Sequence, residues 1–402
     1  MTDCDIAIFG AGIAGASLAW RLADHGRVQL LEREAQPGYH STGRSAALFL
    51  ESYGPPAVRA MTRASRAFYE QPPAGFADSP LIKPRGALYL ATLGQEALLE
   101  HLRQDLAPTC PGLVTLNAAQ ILARVPCLRA DQVLAGLYDA SAEDMDVHAI
   151  HQGFLRGFLQ RGKAAGSALR TNAHLTSARH DGQYWQLQFA DGQTLQANTV
   201  VNAAGAWADE LGALLGARPI GLLPHRRSAF TFKLPDGLQG ADWPAVIGVD
   251  ESYYFKPDAG HMLGSPANAD PTTPHDVQPE ELDIAQGIAQ IEAVTQFSIR
   301  RPASTWAGLR SFVPDGEMVI GHDADTPGLF WLAAQGGYGI QSAVGASALA
   351  DSLLRGVALP AELVREGLDP SVLSPDRLSR VARSADVSSG LGADPSAPTP
   401  MG

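Results

Sequence analysis

The chain has 402 residues, 45% of them hydrophobic and 18% charged, with a formal net charge of −12. That composition suits a globular protein with a large core and two domains, and the acidic balance argues against a nucleic-acid or anionic-membrane surface. Cys4, Cys110 and Cys127 are odd in number and lack C-x-x-C spacing. They suggest neither a disulfide framework nor a zinc site and read as a reducing, cytoplasmic setting.

A strand starting near residue 5 leaves no room for a positively charged leader, and the apolar stretch 6–20 is too short and too rich in glycine to span a bilayer. The expectation is a protein neither secreted nor membrane-spanning. Asp5-Ile6-Ala7-Ile8-Phe9 runs into Gly10-Ala11-Gly12-Ile13-Ala14-Gly15 and then a helical pattern ending near Gly26. Val28-Gln29-Leu30-Leu31 follows as a second strand, closed by Glu32. In such a β-α-β unit the backbone N–H groups of the G-x-G-x-x-G turn and the helix N-terminus can hold a pyrophosphate. Gly10 allows the tight turn, Gly12 lets phosphate approach the backbone, and Gly15 lets the helix pack on the strand. Glu32 can accept hydrogen bonds from an unphosphorylated ribose, which favours FAD or NAD over NADP.

The polar loop 36–45 leads towards a helix, and its Ser41, Thr42, Gly43, Arg44 and Ser45 suit either cofactor contacts or a surface turn with a helix cap. A helix is expected over 58–69, a strand over 86–91, and helices over 95–107 and 117–124, broken by Pro108 and Pro126. Residues 144–166 read as a further helix. Its His148 and His151 are three apart but lack a third ligand, so no metal site is expected. Residues 184–189 alternate, Asp191-Gly192 makes a turn, and a return strand from Thr194 runs to Val200-Val201-Asn202-Ala203-Ala204-Gly205-Ala206-Trp207. Strands are expected over 228–233, 252–256, 305–310 and 328–334. A proline-rich connection over 266–281 precedes a helix over 282–295. Gln335-Gly336-Gly337-Tyr338-Gly339-Ile340-Gln341 is a second glycine-rich turn, entering a helix to about 355, but it is not a second G-x-G-x-x-G. Beyond 381 the Ser, Gly, Ala, Asp and Pro content reads as a disordered tail.

Three motifs agree: the N-terminal fingerprint, Val200 through Trp207, and Trp306-Ala307-Gly308-Leu309-Arg310 with Gly336 through Gln341. Together they resemble the FAD-dependent D-amino acid oxidase superfamily over residues 3 to about 380. Within it the chain is most similar to bacterial D-arginine dehydrogenases, on Glu32 through Ala47, Asp250-Glu251-Ser252 and Gly264 through Pro271. The resemblance implies an α/β fold with a Rossmann-type FAD-binding domain (1–80, 145–217 and 315–380) and a substrate domain on a mixed or antiparallel sheet (81–144 and 218–314). It implies non-covalent FAD and oxidation of a D-amino acid by hydride transfer from Cα to flavin N5. The imine would then hydrolyse to a 2-oxo acid and ammonia. Arg310 and Tyr254 would hold the substrate carboxylate, with Arg227 beside them and Tyr53 on a lid. The cofactor contacts would run from Gly10, Gly12, Ile13, Ala14, Gly15, Glu32 and Arg33 through the 41–45 loop, Ala46 and Ala47. They would continue through His174, Leu175, Ala204, Gly205, Trp207 and Gly308 to Gly336, Gly337, Tyr338, Gly339, Ile340 and Gln341. The last turn would set a helix N-terminus beside the flavin pyrimidine, with Gly337 and Gln341 also reaching the substrate.

Two positions depart from the pattern of the D-arginine dehydrogenases, which carry a glutamate where this chain has Ala87 and a histidine where it has Leu48. A buried cation without a counter-charge costs several kcal/mol, so neutral or apolar D-amino acids are expected over D-arginine and D-lysine. None of the four lysines, Lys83, Lys163, Lys233 and Lys256, sits in a motif that would set it beside N5 as in sarcosine oxidases. A dehydrogenase passing electrons to a quinone or other carrier is therefore expected. The alternatives are an oxidase using oxygen, a sarcosine or secondary-amine oxidase, and a non-catalytic FAD-binding protein.

Overall fold

The computed structural model describes residues 3–235 and 237–378; the expected tail beyond 381 lies outside them. Strand Cys4–Phe9 is central in the first sheet, parallel to Val28–Leu31 on one side and to Thr194–Asn202 on the other. Parallel strands covered on both faces read as continuous apolar runs whose neighbours point to opposite cores. Ile8, Val28 and Leu30 point into a core made with helices Ile13–Leu22, Pro56–Glu70, Val147–Arg161 and Ala343–Arg355. Ala7, Phe9 and Leu31 point the other way, against Trp185, Leu187, Leu211 and Trp331.

On its other edge Thr194–Asn202 serves two further partners. Its first half pairs antiparallel with Trp185–Phe189, whose burial alternates, and its second half pairs parallel with Leu329–Ala333. Leu175–His180, Val319–His322 and Ala168–Arg170, which carried no clear signal in the sequence, form the edges. A short strand with no fully buried side chain, as in Leu175–His180, lacks the apolar alternation that betrays a strand.

The second sheet contains Ala87–Thr92, Val133–Asp139, Leu223–Phe232, Ala245–Gly248, Tyr254–Asp258, His261–Ser265 and Ser304–Phe312. Alternation gives it two unlike faces. Leu88, Leu90, Phe230, Phe232, Val246 and Phe255 pack with Ile284, Ile291 and Val294 of helix Glu281–Val294. Their neighbours Tyr89, Ala229, Ile247 and Tyr254 face the opposite side, where a cavity lies.

A small third sheet of Leu48–Phe49, Ile82–Pro84 and Glu143–Met145 links the two. It corrects two expectations. The 36–45 loop runs into this extended segment rather than into a helix, and the helix read over 144–166 starts only at Val147, capped by the Asp146 side chain at Ala149 N–H.

Candidate active site

Two cavities, with about 1560 Å³ and 1050 Å³ of empty space counting their mouths, share Gly12, Ser41, Thr42, Ala203 and Gly205 and so form one channel along the first sheet. The smaller is lined by Gly10, Glu32, Arg33, His174, Leu175, Ala204 and Trp207. Gly10 has φ +97°, and a Cβ there would stand 2.3 Å from the Ala203 carbonyl oxygen; one on Gly15 would stand 1.9 Å from that of Gly10. Gly15 therefore serves the close approach of helix and turn and does not line the channel. The helix N-cap is Gly12, with no acidic side chain in the first turn. Only Thr42 Oγ1 intervenes, accepting from Ile13 N–H at 3.0 Å. Such a bare helix N-terminus in a channel suits a pyrophosphate.

Glu32 accepts from Ala11 N–H at 2.8 Å and from Glu34 N–H at 3.0 Å, which fixes its carboxylate at the channel wall with lone pairs to spare for a ribose. The Arg33 guanidinium lies 4.3 Å from the centre of the Trp207 ring, and the His40 ring 4.5 Å from it. Arg33 and His40 thus pack against Trp207 at that end of the channel, the His40 ring tilted by 47°. The residues present fit an adenine dinucleotide laid along the channel.

His151 is buried beneath this turn, with Nε2 donating to the Ala11 carbonyl at 2.8 Å. Burial holds its imidazole below the ordinary pKa. The unfolded chain then takes up this proton more readily than the folded one, so the contribution is intact above about pH 6.5 and is lost as pH falls below it. Melting temperature measured through that range should drop less steeply in His151→Gln, whose amide can still donate. Equal slopes would contradict the assignment.

The larger cavity opens between the two sheets. It is lined by Ile13, Ala14, Ser45, Ala46, Ala47, Leu48, Tyr53, Gly336, Gly337, Gly339 and Ile340 and, from the second sheet, by Arg227, Tyr254, Gly308 and Arg310. Strand pairing explains the convergence, since His225–Arg310 and Arg227–Gly308 are cross-strand pairs. Arg310 Nη1 donates to the Tyr53 hydroxyl at 3.1 Å. Arg227 Nε donates to the Asn268 carbonyl at 2.5 Å. Burial, and then the neighbouring Arg310 charge, pull the Arg227 guanidinium below its ordinary pKa. Two like charges facing one cavity form a site for an anion.

The lid segment 50–53 is tied down from several sides. Gln341 accepts from Leu50 N–H and donates to the Leu50 carbonyl and to Thr62 Oγ1. Gln341 lines the cavity as expected, while its amide is engaged in holding the lid. Three further corrections follow. Tyr338 points away, donating to the Gly316 carbonyl at 3.0 Å. Gly43 packs over the Gly38 carbonyl. Ala87 is fully buried with Leu48, Leu50 and Ala142 behind the wall rather than on it. Arg44 lines the cavity, yet its guanidinium is engaged with the Val277 and Ala307 carbonyls and with Asp276.

Sequence reasoning missed Tyr89, Ile247 and Glu251, all on the cavity wall. Tyr89 had a signal, because it stands two residues after Ala87 in the same strand. Glu251, at φ +56° in the turn before Tyr254, brings a carboxylate to the exposed mouth. No lysine or cysteine lines either cavity among the described residues; Lys256 is spent on Asp144 at 2.7 Å.

A Cβ on Gly337 would meet Arg310 Nη1 at 2.9 Å and the Tyr53 hydroxyl at 3.0 Å. Gly337→Ala should therefore displace the guanidinium and lower kcat/KM roughly 10- to 100-fold. Unchanged kinetics would remove Arg310 from the site.

The family model described as FAD dependent oxidoreductase matches residues 5–352. Human mitochondrial dimethylglycine dehydrogenase is 26% identical over 272 residues, 64% of this chain; the chain spans only 30% of that relative's length. Among solved structures, glycine oxidase from Geobacillus kaustophilus superposes with TM-score 0.79 at 20% identity, covering 93% of this chain and 98% of that one. L-proline dehydrogenase from P. horikoshii superposes with TM-score 0.76 at 19% identity, covering 94% and 98%.

Proposed function

The chain belongs to the FAD-dependent oxidoreductase family, and we propose that it is a dehydrogenase of free D-amino acids with neutral side chains. The observation that carries this reading is the placing of Arg310, Arg227, Tyr254 and Tyr53 in one cavity continuous with the fingerprint glycines. FAD, when bound, supplies the two-electron acceptor for the Cα–H. The chain's own work is to position the substrate. Arg310 offers a planar fork to the carboxylate, Tyr254 a hydroxyl, and Arg227 a second positive charge. Tyr53, now on Arg310, can turn its hydroxyl to the same carboxylate while the lid excludes water. The imine so formed hydrolyses to a 2-oxo acid and ammonia.

Leu48, Leu50 and Ile247 make the walls where a side chain would lie, and the Glu251 carboxylate stands only at the mouth. A guanidinium drawn into this interior would lose water, and Glu251, the one acidic residue on the wall among the described residues, already acts on Arg227 and Arg310. Dye-linked kcat/KM for D-leucine or D-methionine should exceed that for D-arginine at least about tenfold. A preference for D-arginine would overturn the neutral-substrate reading.

The absence of a lysine from the cavity wall supports a dehydrogenase handing electrons to a quinone or other carrier, and the absence of a cysteine from either cavity among the described residues supports non-covalent FAD. Three unpaired thiols suit a reducing cytoplasm. No helix among the described residues is long and apolar enough to cross a membrane. A second reading, oxidation of an N-substituted amino acid, draws on what the titles of dimethylglycine dehydrogenase and L-proline dehydrogenase say of those proteins; it would use the same carboxylate clamp.

A further inference from the structure

Tyr254, Ile247 and Tyr89 are direct neighbours across three adjacent strands. At about 4.8 Å per strand, Tyr89 stands about 10 Å along the sheet from the carboxylate clamp, with Ile247 between them. A substrate anchored at Arg310 and Tyr254 would extend its side chain over Ile247 towards Tyr89. That end of the pocket carries a buried polar chain which the clamp does not use. The Tyr89 hydroxyl lies 2.8 Å from Ser52 Oγ on the lid, and Ser52 Oγ lies 3.5 Å from Asp139 Oδ2. Asp139 sits opposite Ala87 in the next strand, and its other oxygen accepts from Ser141 N–H at 2.9 Å and from Ser141 Oγ at 2.6 Å. Tyr89, Ser52 and Asp139 are each at most 6% exposed.

The order of protons in this chain follows from its end. A carboxylate only accepts, so Ser52 donates to Asp139, and the Ser52 oxygen then accepts from Tyr89. Burial raises the Tyr89 hydroxyl well above its ordinary pKa, so that proton stays in place. Its one hydrogen is therefore committed to Ser52, and only oxygen lone pairs remain for the cavity.

We infer that Tyr89 is a specificity-determining hydrogen-bond acceptor, held in that role by Ser52 and Asp139, and that the pocket favours amino acids whose neutral side chain ends in a donor such as a carboxamide. Ser52 and Asp139 are positioning residues that act through Tyr89. The inference rests on the amino acid reading above and refines its substrate class. A side chain ending only in an acceptor would face lone pair against lone pair, and an apolar isostere would leave the Tyr89 oxygen unsatisfied.

The test uses D-glutamine, D-methionine and D-methionine sulfoxide, which have similar length and end in a donor, neither, or an acceptor alone. Dye-linked kcat/KM is measured for the FAD-bound wild type, Tyr89→Phe and Ser52→Ala. In Tyr89→Phe the D-glutamine to D-methionine ratio should fall about fivefold, the effect of one neutral hydrogen bond. In Ser52→Ala the freed Tyr89 proton can turn into the cavity, so the sulfoxide to D-methionine ratio should rise about fivefold. A merely structural role would lower all three substrates together. Turnover with both ratios unchanged overturns this inference alone, whereas failure of all three to reduce the wild-type flavin overturns the amino acid reading and this inference with it.

Discussion

Arg310→Met is expected to lower kcat/KM for the best amino acid about 10³-fold while the flavin stays bound. Among the described residues the Arg310 side chain makes one hydrogen bond, from Nη1 to the Tyr53 hydroxyl, so most of its fork is available to a ligand in the cavity it lines. Two charge-assisted bonds to a carboxylate, at about 2 kcal/mol each, amount to about three decades at 1.4 kcal/mol per decade. Methionine keeps most of the volume, which separates loss of the clamp from collapse of the wall. The flavin absorbance of the purified variant reports whether the fold and cofactor survive. A loss below about tenfold with full flavin would place the substrate carboxylate elsewhere, Arg227 being the next candidate.

Gly10→Ala should act on the cofactor instead. At φ +97° an alanine is strained by about 1–3 kcal/mol, and its Cβ, 2.3 Å from the Ala203 carbonyl oxygen, would push apart the two strands that frame the channel. The expected result is FAD affinity weakened at least about tenfold and a melting temperature lowered by several degrees. Gly12 offers the contrast. A Cβ there would meet only Thr42 Oγ1, at 3.2 Å. Gly12→Ala should thus weaken FAD through the lost backbone approach while leaving the melting point of the FAD-free protein nearly unchanged. Full FAD occupancy in Gly10→Ala would contradict the assignment of this turn.

The legible parts of the chain were those where local chemistry and fold agree. The Gly10–Glu32 unit combines apolar strands, a glycine turn and an acid at fixed spacing, and the structure places them together along the smaller cavity. Arg310 and Tyr254 were legible only through resemblance, because an arginine on a strand reads the same whether solvated or turned into a cavity. The cross-strand register decides it, and register is a long-range property. Ala87 illustrates the limit. Its place in a strand was legible, but Leu48 and Leu50 pack over it, and Tyr89, two residues on, lines the cavity instead. Tyr338 shows the same effect in a loop, where the motif residue is buried against Tyr53 and Phe312 with its hydroxyl on the Gly316 carbonyl rather than lining the cavity. Asp139, 52 places along the chain from Ala87 yet opposite it in the sheet, left no local trace at all.

The central claim is that this cavity presents the Cα–H of a primary D-amino acid to bound FAD. Anaerobic titration of the purified holoprotein with paired substrates tests it most directly, using D- and L-methionine and N-methylglycine while following the oxidised flavin absorbance. Stoichiometric bleaching by D-methionine, with L-methionine and N-methylglycine at least about tenfold less effective, is the predicted result. Bleaching by N-methylglycine or L-methionine but not by D-methionine would contradict it.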